Sequence, residues 1–161
     1  MISGLAHVNL TVPSGTLEQA NEFYGTTLGL TSRPVPELQR GTLAWFDIGT
    51  SSQEVHIAFG AATDFGPPSS RHPCFKLESP EKLIQLRQRI WDHFVRGGAA
   101  APQAADRPGI RKAVRGATTL QLDWKLSPLV LGLSHVGAKG VEYPQRFFAR
   151  DYAGNRLEFS L

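Results

Sequence analysis

The chain has few of the features that mark secreted or membrane-bound proteins. Its one cysteine, Cys74, excludes an intrachain disulfide. The longest apolar run, around residues 129–131, is far shorter than the roughly 20 residues needed to span a bilayer. Residues 1–3 lead directly into a predicted strand, without a charged and then apolar leader segment. We therefore expect a cytoplasmic protein with no membrane span.

The chain also lacks a strong charge of one sign. Its formal net charge is +3, and its local excess of basic residues, between Arg107 and Arg115, has no interleaved aromatics and matches no nucleic-acid-binding module. Nucleic acid is therefore not an expected partner. With 161 residues, of which 41% are hydrophobic, the chain is long enough to bury the core of one domain.

Residues 1–65 follow the order strand, helix and three strands. Apolar residues alternate with polar ones over residues 5–12, which predicts a half-buried strand. Ser14 precedes apolar residues at helical spacing, and Gly29 provides a stop, so an amphipathic helix is predicted between them. A proline-containing segment at 33–36 is typical of a short edge strand or loop. Residues 41–48 and 53–59 are then predicted to form a hairpin.

The same order is repeated in residues 70–161. A strand is predicted over 72–77, and Ser79 followed by Pro80 and Glu81 begins a second helix that ends at residues 97–98. A weaker strand candidate covers 99–105, and a terminal hairpin covers 147–161, where Gly154 supplies the positive φ of a tight turn. The repeat predicts an α+β fold, with one domain over 1–161 that contains two βαβββ modules at 1–65 and 70–161.

The second module is longer than the first. His7 and His56 are 49 residues apart, whereas His72 and Glu158 are 86 apart, so the second module carries about 37 extra residues. We place this insertion at about 107–140, where neither strand nor helix periodicity persists. A loop of this length is uncommon inside a compact domain and is expected to pack outside it, to act as a lid or to be partly disordered. His135 within it is expected to be incidental.

Four titratable residues occupy equivalent positions in the predicted first and last strands of the two modules. They are His7, His56, His72 and Glu158, each on the strand face opposite the aliphatic one. Burying such groups costs several kcal/mol unless they are paired or bind a cation. A hydrogen bond to the backbone would explain any one of these histidines, but not four residues at repeated positions. Imidazole and carboxylate together suit a divalent first-row metal.

The paired modules and their motifs resemble the vicinal oxygen chelate superfamily. The resemblance is carried by the opening LAHVNLTV, by Phe23-Tyr24 followed by Leu28-Gly29-Leu30, and by the closing DYAGNRLEF. The superfamily includes glyoxalase I, fosfomycin-modifying enzymes, methylmalonyl-CoA epimerase, extradiol dioxygenases and bleomycin-resistance proteins. The resemblance implies that each module forms half of an incomplete mixed-sheet barrel, with a divalent ion (Zn, Ni, Mn, Co or Fe) held in its mouth by His7, His56, His72 and Glu158. Members often dimerise, sometimes with sites shared between chains, so a homodimer is a further expectation.

The resemblance also implies a reaction. It favours a glyoxalase-like lyase or isomerase that acts on a small substrate with two vicinal oxygens through an enediolate-type intermediate, with Glu158 as base and His56 as a second candidate. Asn9, Lys76 and Arg156 are the expected substrate-binding residues. Two alternatives stay open. An extradiol Fe(II) dioxygenase could use His7, His72 and Glu158, although its motif has tyrosine where Phe148 stands. The other alternative is a non-catalytic antibiotic-binding protein.

Overall fold

A computed structural model describes residues 1–61, 64, 69–108 and 145–161, which form two four-stranded sheets with helices between their strands. The predicted insertion, apart from residues 107 and 108, lies outside these residues, and so does His135. In the first module the elements are β1 (His7–Val12), α1 (Leu17–Ala20), β2 (Thr31–Arg33), β3 (Leu43–Asp47) and β4 (Glu54–Phe59). In the second they are β5 (Cys74–Lys76), α2 (Pro80–Arg96), β6 (Ala104–Ala105), β7 (Arg146–Arg150) and β8 (Arg156–Ser160).

Both sheets have the same strand order, which confirms the predicted pair of βαβββ modules. Sheet A is ordered β1-β4-β3-β2 and sheet B is ordered β5-β8-β7-β6. In each sheet the first strand of the module pairs parallel with the last, and the other pairs are antiparallel. The last strand of each module is therefore an interior strand, and Glu158 on β8 does not lie at a sheet edge. Neither sheet closes, so the barrel is incomplete as expected.

Alternation along the strands separates a core face from a polar face. In β4, Val55 and Ile57 are fully buried, and in β8, Leu157 and Phe159 are buried against the same core. Burying each of these side chains contributes about 1.5–3 kcal/mol to the free energy of unfolding. Because successive side chains point to opposite faces, this burial fixes Glu158 on the other face of sheet B.

The first helix differs from its prediction. It begins at Leu17, with Thr16 rather than Ser14 as the N-cap residue, and the side chain of Thr16 donates to the Pro13 carbonyl instead of capping the helix. After Ala20 the chain continues as a π-helical segment over Asn21–Thr27. The spacing of apolar residues does not distinguish an α-helix from a π-helix over so short a segment, because residues one turn apart share a face in both. The second helix matches its prediction closely, with Ser79 accepting a hydrogen bond from the Lys82 backbone.

The turn of the terminal hairpin joins the second module to the first. Asn155 Nδ2 donates to the Thr11 carbonyl at 2.8 Å, and the Tyr152 hydroxyl donates to the Thr16 carbonyl at 2.9 Å. Asp151 is fully buried and accepts a hydrogen bond of 2.6 Å from the Tyr24 hydroxyl. These bonds hold the start of β8 beside the end of β1.

No helix in the described part of the chain is both long and apolar enough to cross a membrane.

Shortening the insertion is expected to leave the fold intact. The eight strands and two helices of both modules form from the described residues, and lengthening or shortening a loop changes its closure entropy only slowly. A variant with residues 109–140 replaced by a short Gly-Ser linker should melt within a few degrees of the parent when circular dichroism is followed. This variant keeps Arg107, whose carbonyl accepts a hydrogen bond from Arg87. A variant that fails to fold would show that the module boundaries are misplaced.

Candidate metal centre

The polar face of sheet B brings His72 and Glu158 together. Glu158 lies on the interior strand β8, and His72 lies just before β5, the parallel neighbour of β8. His72 Nε2 is 2.9 Å from Glu158 Oε2, and Glu158 is only 9% exposed. The other oxygen, Oε1, is 3.4 Å from Arg146 Nη1. A carboxylate is thus held on a mostly buried strand beside an imidazole.

The hydrogen bond on the far side of the His72 ring indicates which nitrogen carries the proton. His72 Nδ1 is 2.7 Å from the Ser70 carbonyl oxygen, which can only accept, so Nδ1 carries the hydrogen. In a neutral ring Nε2 then presents a lone pair to Glu158 Oε2. Two acceptors at 2.9 Å repel each other unless a proton or a cation lies between them. The pair therefore either shares one proton or supplies two ligands to one metal ion.

The geometry of the pair fits a metal ion. Two ligand atoms about 2.1 Å from one ion and at right angles to each other are about 3.0 Å apart, close to the observed separation. Metal-binding histidines usually donate their second ring N–H to a carbonyl or carboxylate, as His72 does to Ser70. One imidazole and one carboxylate also match the ligand types that first-row divalent ions accept.

The polar face of sheet A carries the other predicted pair. The rings of His7 and His56 stack with centroids 4.1 Å apart and planes 9° apart, and Trp45 stacks on the other side of His56 at 4.5 Å and 8°. His56 Nε2 is 2.7 Å from Glu54 Oε2. This hydrogen bond is the largest cause of a lowered pKa of Glu54, and the neighbouring Arg33 lowers it further. His56 is therefore fixed both in its plane and by one ring nitrogen.

The four predicted ligands thus form two pairs, one on each sheet. Among residues 1–61, 64, 69–108 and 145–161, no group of three or more His, Cys, Asp or Glu side chains is placed to hold a metal ion. The structure brings His72 to Glu158 and His7 to His56. It does not bring the four side chains into one cluster, so a site with four protein ligands stays a prediction.

The three predicted substrate-binding residues are divided between the same two faces. Asn9 is exposed on β1 and lies opposite His56. Lys76 lies opposite Ser160 at the end of β5. The Arg156 guanidinium lies 4.4 Å from the centre of the Phe148 ring, which in turn meets the His72 ring edge to face at 5.4 Å.

Four neighbours of these residues were not predicted from the sequence. They are Trp45 and Glu54 on sheet A and Arg146 and Phe148 on sheet B. Alternation along each strand places them on the polar faces, and Glu54 lies two residues before His56 on the same strand. The pairing register adds that Trp45 lies opposite His56 and Phe148 opposite Glu158. A register derived from the module repeat could have identified all four.

Solved structures with the same fold were found by comparison. No family model and no curated protein sequence matches the chain. A glyoxalase family protein from Bacillus anthracis is 24% identical with a TM-score of 0.58, and the match covers 99% of this chain and 94% of that one. The fosfomycin resistance protein FosX from Listeria monocytogenes is 15% identical, with a TM-score of 0.57 and coverage of 99% and 91%. A FosX variant has been crystallised with Mn(II).

An antibiotic-binding protein shares the fold as well. TnmS3 from Streptomyces sp. CB03234 is 16% identical with a TM-score of 0.53, and the match covers 99% of this chain and 95% of that one. At these identities the matches establish the fold.

Proposed function

Because the chain has the glyoxalase fold of the vicinal oxygen chelate superfamily, we propose that it is a metal-dependent lyase or isomerase acting on a small substrate with two vicinal oxygens. The observation that carries the proposal is the His72–Glu158 pair. Its two facing atoms are 2.9 Å apart, and the ring proton of His72 is held on the opposite side by Ser70. This arrangement suits a ligand pair for a divalent ion better than it suits an isolated core histidine.

His72 and Glu158 would hold the ion, and His7 and His56 would complete its ligand set. Because one chain holds the two pairs on separate sheets, the second pair would come from another copy of the chain or from closer approach of the two faces. A homodimer is the simpler arrangement, since it needs no rearrangement within either sheet. The Mn(II) in the FosX variant is consistent with a divalent ion in this fold.

A bound divalent ion would polarise a substrate carbonyl and stabilise the negative charge that develops when an adjacent proton leaves. Glu158 is the proposed base. Its Oε2 faces His72, which leaves Oε1 as the atom that accepts the proton. The nearby Arg146 would steady the carboxylate through Oε1.

His56 is the second candidate for proton transfer. In the neutral ring Nε2–H donates to Glu54, so Nδ1 carries the lone pair that could accept a proton. His7 and Trp45 hold the plane of this ring. His56 can serve as a base only if it does not bind the ion through Nδ1, and the two roles therefore exclude each other.

The proposed function predicts that the protein converts its substrate in the absence of oxygen. Protein purified with a divalent ion should convert a small α-hydroxycarbonyl or hemithioacetal substrate under anaerobic conditions. It should also exchange the substrate α-hydrogen with deuterium from the solvent, as proton abstraction requires. NMR in deuterium oxide measures both. Strict oxygen consumption with a yellow ring-cleavage product from a catechol would instead assign an extradiol Fe(II) dioxygenase.

Antibiotic binding without catalysis is a second candidate. The observation that favours it is the stack of three parallel rings, His7, His56 and Trp45, because such planes offer a surface on which a flat aromatic ligand can stack. TnmS3, which has the same fold, binds an antibiotic. Quenching of tryptophan fluorescence by a flat antibiotic, without loss of that antibiotic over time, would support a binding protein.

A further inference from the structure

The strand register of sheet B places cationic side chains on both sides of Glu158 along β8. Glu158 lies in a row with Cys74 and Phe148 on the neighbouring strands. Two residues earlier in β8, Arg156 pairs with Arg150. Two residues later, Ser160 lies between Lys76 and Arg146. Each flanking row is about 7 Å from Glu158, since a strand rises 3.2–3.4 Å per residue.

On the strands β5, β7 and β8, this face carries four cations and one carboxylate. They are Lys76, Arg146, Arg150, Arg156 and Glu158. On the polar face of sheet A the positive charge of Arg33 is neutralised, because Arg33 forms ion pairs with both Asp47 and Glu54. The excess positive charge of the candidate site therefore lies on sheet B, next to His72 and Glu158.

Arg150 and Arg156 form an unfavourable pair in the absence of an anion. They are directly opposite each other on adjacent strands, and like charges in this position destabilise a sheet. Arg150 is fixed by hydrogen bonds to the carbonyls of Gly154 and Ser69. Burial lowers the pKa of Arg150, the neighbouring Arg156 lowers it further, and the Asp151 carboxylate offsets part of this shift. An anion bound between the two guanidinium groups would relieve this repulsion.

Arg156 is the cation best placed to bind that anion. Its guanidinium lies on the ring of Phe148, which contacts His72, so it is held near the candidate metal ligands. Arg156 has no carboxylate partner within the described ranges, whereas Arg146 already lies beside Glu158. A guanidinium can bind two oxygens of a phosphate, phosphonate or carboxylate group at once.

We propose that the substrate carries an anionic group that is bound by Arg156 beside the His72–Glu158 pair. The proposal rests on the proposed function, because it places the anion next to the two oxygens that would chelate the metal. The substrate class is then a small anionic hydroxycarbonyl compound. Arg150, opposite Arg156 on β7, contributes a second positive charge.

Two matched ligands test the proposal. Dihydroxyacetone phosphate and dihydroxyacetone share a carbonyl with a neighbouring hydroxyl, and only the first is an anion. Titrated calorimetrically into Mn(II)-loaded protein, the phosphate should bind at least tenfold more tightly. Arg156→Gln should weaken its binding by about 10- to 100-fold, the loss of a charge-assisted interaction, and leave dihydroxyacetone unchanged. The control Lys82→Gln removes an exposed positive charge from α2 and should change neither.

The outcomes separate this proposal from the proposed function. Equal affinity for the two ligands in metal-loaded protein would overturn the anion site and leave the metal function standing. An equal loss in Lys82→Gln would also overturn it, because the effect would then be one of net charge. If Mn(II) does not bind, inorganic phosphate replaces the matched ligands, and binding that depends on Arg156 would support the anion site alone. Should Arg156→Gln unfold, Arg156→Lys is expected to keep the fold and lose affinity for the anion only.

Discussion

Replacing Asp151 by alanine is expected to lower the free energy of unfolding by about 3–5 kcal/mol. Asp151 is fully buried and accepts four hydrogen bonds, from the Tyr24 hydroxyl at 2.6 Å, the Ala153 and Asn155 backbones at 2.9 and 2.8 Å, and Asn155 Nδ2 at 2.9 Å. Burial raises the pKa of Asp151, and these four donors offset much of that cost. Without the carboxylate, the hydroxyl of Tyr24 and the turn amides would be left buried with no acceptor.

Urea unfolding followed by tryptophan fluorescence measures the effect. Asp92→Ala, which removes an exposed carboxylate from α2, is the matched control and should change stability by less than about 0.5 kcal/mol. Tyr24→Phe removes one of the four donors and should cost about 1 kcal/mol. Equal stability of the Asp151 and Asp92 variants would show that the turn does not join the modules.

Asp151 illustrates what the sequence can predict and what it cannot. The DYAGN stretch correctly predicts a hairpin turn, and Gly154 has the expected positive φ of 93°. An aspartate in a turn is ordinarily exposed, however, and the local sequence offers no sign that this one is buried. Its partner Tyr24 lies 127 residues earlier, on a helix of the other module. Only the packing of the two modules brings them together.

The candidate site shows the same division. Alternation along the strands correctly predicted that His7, His56 and Glu158 avoid the core face, whereas His72, predicted to lie in a strand, comes just before β5. The module repeat predicted the order of helices and strands along the chain. The alternation of side chains shows which residues share one face of a strand. It does not show whether the polar faces of sheets A and B lie against each other. Alternation puts Glu54 and His56 on one face of β4. It does not show that their side chains form a hydrogen bond through His56 Nε2. Whether the two pairs meet depends on packing beyond a single sheet.

Loss of metal binding in His72→Ala and in Glu158→Gln is the largest effect expected at the site. Each variant leaves an incomplete ligand set, so the affinity for Mn(II) should fall by at least about 100-fold, more than the loss of an outer hydrogen-bond partner causes. Paramagnetic relaxation of water protons during a Mn(II) titration measures this affinity. His135→Ala removes a histidine from the insertion and is the matched control, expected to bind Mn(II) like the parent. Unchanged affinity in both site variants would mean that His72 and Glu158 form only an ion pair.

A mixing experiment then locates the remaining ligands. His7→Ala should also weaken Mn(II) binding, because the His72–Glu158 pair supplies only two protein ligands. If a site combines His72 and Glu158 of one copy with His7 of another, a dimer of one His7→Ala chain and one His72→Ala chain retains one intact site. Each mixed dimer should therefore bind one Mn(II), half of what the parent dimer binds. No recovery, in variants shown to exchange subunits, would place His7 in the site of its own chain and require the two polar faces to close on each other.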